Sequence, residues 1–438
     1  MNTNNIKMFL RAWSVLPLSM LPALSMAQGN NDGLGEDPTD LKSIYEMVSK
    51  QEKKNKAINL YFNYGASYQM NHDSREGEWT SRFYNRYLKI EMTGWLTDNL
   101  YYRFRHRLNK SNVAQSEDNF AKATDYMMVG WKFNDHWAVQ GGKKCQALGS
   151  FEFDENPLYI YQYSDIEDNV DSSKGALNLL YNPTPDQQFT AEVSNTYNGK
   201  LEDEFGEKAK VTSQGYVDVG GVTQLQTETL EKANHPLAYT VGWNGKFFDG
   251  KLQTRWSYTL RTQAKHKYSR FLRLGQKLNL NKLQWYLDYN MTYDDLDRMK
   301  IASGEVVDAL RNTAHLCDAT SDEASGADDT FTNLYVGKVR YQGLVTKMNW
   351  QFAPAWNLML KGMWETASMI KMEQFKSYRK AFGYVGSIEY YPARKQQQDL
   401  RVFLAYTGRK YDYSKRCGVT DYNTDRIELG IIYRLKAY

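Results

Sequence analysis

The stretch Leu100 to Asn109, LYYRFRHRLN, constrains the chain more than any other. Leu100, Tyr102, Phe104, His106 and Leu108 alternate with Tyr101, Arg103, Arg105, Arg107 and Asn109. A period of two is a β-strand with one largely apolar face and one face carrying three guanidinium groups. Successive arginines then sit roughly 7 Å apart, where neighbours repel by only about 0.6 kcal/mol in water but prohibitively in a dry interior. The arginine face is therefore expected to be wet. An ordinary soluble sheet with a solvated face fits this stretch equally well, so the rest of the chain has to decide.

The alternation recurs along the whole chain. It begins with Ile58, Leu60, Phe62, Tyr64, Ala66, Tyr68 and Met70, and it closes with Ile427, Leu429, Ile431, Tyr433 and Leu435. Between them, tight turns such as Thr97-Asp98-Asn99, Asn134-Asp135-His136 and Asp249-Gly250 alternate with long polar connections. Counting these segments gives about sixteen strands joined by short turns on one rim and long loops on the other, the layout of an outer-membrane barrel. Trp95, Trp131, Trp137, Trp350 and Trp356 flank the short turns, as an interfacial aromatic girdle requires.

Composition agrees. No long apolar run follows the N-terminus, which excludes helical spans, yet 33 Tyr and 11 Trp accompany a mean hydropathy of −0.68. The fold class expected is all-β: a transmembrane antiparallel β-barrel with a short N-terminal periplasmic helix. Turning Arg103, Arg105 and Arg107 to lipid would cost roughly 2–4 kcal/mol each near the midplane, so they are expected in the lumen. A net charge of +4 does not suggest a nucleic-acid partner.

Three segments are expected. Residues 1–27 read as a cleaved signal peptide, with basic Lys7 and Arg11, an apolar core and Ser25-Met26-Ala27 at the cleavage site. Residues 28–56 form a flexible segment carrying a short helix capped by Thr39 or Asp40, with Leu41, Ile44, Tyr45 and Val48 on one face. That helix is expected at the periplasmic rim. Residues 57–438 make the barrel. Glu428-x-Gly430-x-x-Tyr433-x-Leu435 is similar to the signal read by barrel-assembly machinery, which places the chain in a Gram-negative outer membrane with lipid as a partner. Cys317 and Cys417 fall in long loops, where they either pair or remain two surface thiols, and Cys145 stands alone.

Residues 141–171, GGKKCQALGSFEFDENPLYIYQYSDIEDNVD, are too long for a turn and carry Phe151, Phe153, Tyr159, Tyr161 and Tyr163. An aromatic loop needs a surface, either the lumen wall or the outer rim. Gly142-Lys143-Lys144, FEFDENP, the later NPTPDQQF (Asn182 to Phe189) and the sixteen-strand layout together resemble the phosphate-selective porin O/P family, particularly its Bacteroidetes relatives. The resemblance covers essentially the whole chain after the signal peptide. It implies a homotrimeric channel for phosphate or other small anions, an inward-folded third loop as constriction, and a basic lining. The chain departs from the family after its Gly-Lys segment, with Cys145-Gln146 where Pro and Phe are common.

The lining residues expected from parity are Arg103, Arg105, Arg107, Lys144, Arg255, Arg261, Arg273 and Lys277, with Lys143 pointing outward unless a bulge intervenes. Glu91, Glu192, Asp288, Glu365 and Glu389 oppose them. Two other classes compete. A barrel enzyme would need a nucleophile and base at the rim, and no metal or cofactor spacing exists. A closed structural or adhesin barrel would suit the long polar loops 198–235 and 294–332.

Overall fold

The structure is a computed structural model and describes residues 41–50, 57–317 and 331–438. The expected signal peptide, the caps Thr39 and Asp40, and the acidic run 321–329 lie outside the described residues.

Sixteen antiparallel strands close on themselves. They are β1 (Asn59–Asp73), β2 (Trp79–Trp95), β3 (Leu100–Arg107), β4 (Thr124–Lys132), β5 (Trp137–Cys145), β6 (Ser173–Thr184), β7 (Gln187–Asn195) and β8 (Leu237–Phe247), followed by β9 (Leu252–Ala264), β10 (Lys267–Asn279), β11 (Leu283–Asp294), β12 (Val339–Ala353), β13 (Trp356–Met369), β14 (Arg379–Tyr390), β15 (Asp399–Tyr413) and β16 (Tyr422–Lys436). The seam is β1 on β16, in register from Tyr61 opposite Lys436 to Asp73 opposite Thr424. Closure leaves no free edge, so every strand can hydrogen-bond fully inside lipid.

The expected faces hold. Met127, Val129 and Trp131 of β4 are exposed outward while Met128 is buried. Tyr258, Leu287, Leu344, Ile388, Leu404 and Leu429 continue the outward apolar belt. Trp131, Trp137, Trp350 and Trp356 stand exposed beside the short turns, and Trp137 stacks on Tyr181 at 4.4 Å.

At three places a break in parity re-aims a charge. In β2 the register skips between Gly65–Tyr87 and Ala66–Asn85, so Arg86 is an extra residue. In β4 it skips between Arg105–Tyr126 and His106–Thr124, so Asp125 is extra. Both bulges swing a charged side chain from the lipid face to the interior, as an inserted residue does. The third is Gly142, whose φ of +119° turns Lys143 inward to Asp118 at 2.6 Å. The parity-based outward orientation of Lys143 is thereby corrected.

Above the long-loop rim, the polar connections form structure of their own. Lys210–Thr212, Glu228–Thr229 and Leu334–Val336 make a small sheet, and Ile301–Cys317 is a helix. Val306, Val307 and Leu310 of that helix share an apolar cluster with Leu148, Ile166, Phe271 and Tyr341. Cys417 belongs to the same cluster as a free thiol, its Sγ donating to the Ser414 carbonyl at 2.9 Å. The pairing weighed for it with Cys317 falls on a side chain outside the described residues.

The N-terminal helix runs Ile44–Ser49, later than expected, because Ser43 caps it. Ser43 Oγ accepts from Glu46 N at 3.1 Å and Glu46 accepts from Ser43 N at 2.8 Å. Leu41 precedes the helix and is buried. Lys42 N donates to Gln397 O and Tyr45 N to Ala437 O, which fixes the helix to the short-turn rim.

Gly142 is the most sensitive of these features. A Cβ there would stand 2.3 Å from Met127 O, in a backbone region that L side chains avoid. Gly142→Ala is expected to cost about 1–3 kcal/mol of stability, read as a lower denaturant midpoint for the heat-modifiable barrel, while Gly77→Ala, with open space around it, costs less.

Candidate functional site

The connection 146–172 between β5 and β6 folds into the lumen and is held there on two kinds of contact. The first is apolar. Phe151, Leu158, Tyr159 and Tyr161 bury against Tyr286, Val345, Met359, Met363, Val385 and Phe403, inward-facing residues of β11 to β15. These strands therefore carry apolar side chains on both faces, whereas β1 to β5 face inward mostly with polar ones, Met128 and Ala138 being exceptions.

The second is ionic. Glu152 pairs with Lys361 at 2.6 Å, Asp154 with Arg255 at 2.6 Å, Glu155 with Lys347, Glu167 with Arg273 at 2.5 Å, and Asp165 with both Arg379 and Arg409 at 2.6 Å. Wall carboxylates bind the loop in turn. Asp288 accepts from the Phe151 and Glu152 amides at 3.0 and 2.7 Å, and Glu365 from the Asp165 and Ile166 amides at 2.9 and 3.0 Å. Those amides are the unpaired N–H groups at the starts of the short helices Phe151–Asp154 and Asp165–Asp168, where an anion is favourable. Arg86, re-aimed by its bulge, donates to the Ile160 and Tyr161 carbonyls at 3.1 and 3.3 Å and pairs with Glu428 at 2.7 Å.

With the loop against β11–β15, the remaining space lies towards β1–β5, as a cavity of about 790 Å³. Phe153, Tyr161 and Tyr163 of the loop line one side of it, and Arg82, Arg86, Arg105, Arg107, Lys110 and Lys122 are on the cavity wall. Phe151 and Tyr159, expected in the constriction, serve instead as anchors inside the packed half.

The arginine row is not uniformly wet. Arg103 is 2% exposed, its guanidinium 2.6 Å from Glu91 and 4.1 Å from the Tyr126 ring centre. Arg105 is 4% exposed, 3.2 Å from Asp125. Arg107 opens to the cavity with its side chain 27% exposed, 2.8 Å from the same carboxylate, and Lys89 lies 3.7 Å from it on the other side. A row of arginines must be wet only where counter-ions are lacking; here Glu91 from β2 and the bulged Asp125 from β4 supply them. Among the described residues Lys110 and Lys122 make no ion pair. Burial and the neighbouring Arg107 hold the Lys110 ammonium below its ordinary range.

The other expected lining residues are distributed differently. Arg255 and Arg273 are engaged by the loop, Lys144 by Glu192, and Arg261 donates to Gln146 at 2.8 Å. Lys277 lies 5.7 Å from the Phe151 ring centre, beneath the loop. Sequence reasoning missed Arg82, Arg86, Lys110 and Asp125; for Arg82, Arg86 and Asp125 the available signal was a charged residue at lipid phase in an otherwise regular strand, whereas Lys110 lies in the connection after β3.

Residues 58–435 match the family model of phosphate-selective porin O and P. The chain belongs to that family. Three solved structures share the barrel. The outer membrane channel DcaP of Acinetobacter baumannii is 9% identical over 88% of this chain and 99% of its own, with a TM-score of 0.53. The anion-selective porin from Comamonas acidovorans is 9% identical over 86% and 99%, with a TM-score of 0.51. Salmonella typhi OmpF, in complex with daunomycin, is 11% identical over 86% and 97%, also at 0.51. At these identities the likeness establishes the fold. No curated protein matches the chain significantly. The porin is thus an outer-membrane channel rather than an enzyme.

Glu152 is the most interior of the loop's clamps, fully buried and also accepting from Ser164 N and Oγ at 2.8 and 2.7 Å. Glu152→Gln leaves the Lys361 ammonium buried without its counter-charge, a loss of about 3–5 kcal/mol. The expected result is lost amide-exchange protection across 146–172 with the strands still protected.

Proposed function

We propose that the porin is an anion-selective channel whose path runs through the cavity between the inner loop and β1–β5, and that it works as a homotrimer inserted by barrel-assembly machinery. The observation that carries the reading is charge imbalance at one carboxylate. Asp125 serves Lys89, Arg105 and Arg107 at once, so this cluster keeps a net positive charge facing water. Arg86 and Arg426 likewise share Glu428, and Lys110 and Lys122 make no ion pair among the described residues. Of the cavity's other acids, Glu167 and Asp171 are neutralised by Arg273 and Lys174, and Asp168 and Glu204 remain, so the basic lining residues still outnumber the acidic ones.

Fixed positive charge beside a low-dielectric wall concentrates anions and repels cations. Guanidinium forks add a preference for oxyanions such as phosphate over chloride, through paired hydrogen bonds. Arg107 offers such a fork, whereas Arg103 is committed to Glu91 and contributes little.

Reversal potentials under a potassium chloride gradient test this. Anion preference is expected to be marked near 0.1 M and modest near 1 M, because the Debye length falls from about 10 Å to about 3 Å. Replacing Arg107, Lys110 and Lys122 together with Gln should move the reversal potential towards cations, and Arg103→Gln should move it much less. Equal shifts from both would place the path elsewhere.

A further inference from the structure

The channel does not explain a row of basic residues on the outer surface. Arg270 on β10, Arg340 on β12, Lys380 on β14 and Lys410 on β15 are exposed at the same outward parity as Leu272, Leu344, Phe382 and Tyr406. Tyr293 of β11 faces Arg270 on one side and Arg340 on the other, so these two flank it in one row, about 10 Å apart across two strand spacings. The Arg270 guanidinium sits 5.5 Å from the Tyr293 ring centre. Lys380 is opposite Asp412 and Lys410 opposite Phe382, with Lys410 paired to Asp412 at 2.8 Å. Among the described residues Arg340 and Lys380 make no ion pair.

The height of the row is what gives it meaning. Arg340 stands ten residues along β12 from the girdle residue Trp350, and Lys380 ten along β14 from Tyr390. Arg270 is ten residues from Leu280 at the turn below β10. At about 3.3 Å per residue and a tilt near 40°, ten residues climb about 25 Å, the height of the apolar band of such barrels. The row therefore lies where hydrocarbon gives way to headgroups in the outer leaflet. It is one-sided: on β16 the residue ten positions from Leu435 is the outward acid Asp425.

We propose that this row docks the phosphate groups of phosphorylated outer-leaflet lipid. Two arginine forks and a free ammonium at one level complement several phosphates held by a lipid surface. Tyr293 and the Tyr384–Tyr406 pair, whose ring centres are 5.8 Å apart, supply the amphipathic belt just beneath.

The test uses the purified full-length porin in detergent, with phosphorylated lipid A as probe and dephosphorylated lipid A as comparison, counted as bound adducts by native mass spectrometry. The phosphorylated form is expected to bind more tightly. The triple variant Arg270→Gln, Arg340→Gln, Lys380→Gln should bind it roughly a hundredfold more weakly. A control triple in the exposed loops, Lys371→Gln, Lys376→Gln, Lys415→Gln, should bind as the parent does. Equal binding of the two lipids, equal loss in both triples, or displacement by millimolar inorganic phosphate would each overturn the proposal. Should the first triple not yield a heat-modifiable barrel, Arg340→Gln alone is read the same way, with a loss of roughly fivefold expected.

Discussion

The lumen is organised by the pairing of an acidic loop with a basic wall. Glu152, Asp154, Glu155, Asp165 and Glu167 each meet a cation from a different part of the barrel, between β9 and β15. Those cations would be unaffordable in this packed half without partners, and the loop's carboxylates would be equally so. Neither side is stable there alone, so the loop and the far wall are one unit. The apolar contacts of Phe151, Tyr159 and Tyr161 fill the space between the charges and keep water from weakening them.

This arrangement leaves the barrel with two unlike halves. One is packed like the core of a soluble protein, and the other is a wet cavity. Inward positions of β12 to β15 carry Val345, Met359, Met363, Val385 and Phe403, residues suited to a solid contact. Inward positions of β1 to β5 carry Gln69, Lys89, Glu91, Arg103, Arg105 and Gln140. The path follows from this division and from where the loop's own charges are already spent.

The barrel was legible in the sequence because lipid enforces period two with little tolerance, and strands as far apart as Ile58–Met70 and Ile427–Leu435 follow it. The inward folding of 146–172 was legible as an aromatic load in need of a surface, but its aromatic residues do not share one role. What parity could not show was pairing across the lumen. Arg255 and Arg273 look like free lining when read strand by strand, and become anchors only when FEFDENP and DIED are laid against them. Glu91 and Asp125 sit nearer, on the two strands that flank the arginine strand, but only register and the bulge at Asp125 bring them to the arginines they neutralise, so the row that looked solvated is largely paired.

The bulges at Arg86 and Asp125 have a consequence for how such a wall can change over generations. Each is a single inserted residue coupled to a charge that only the insertion keeps out of lipid. Replacing the charge alone leaves an irregular ladder with nothing to aim. Regularising the ladder alone delivers a charge to hydrocarbon, at a cost of up to about 2–4 kcal/mol near the midplane for an arginine. Insertion and charge are therefore gained or lost most readily together, as one heritable unit. The lumen's most particular contacts are in that sense quantised, while the smooth apolar belt around them can drift one side chain at a time.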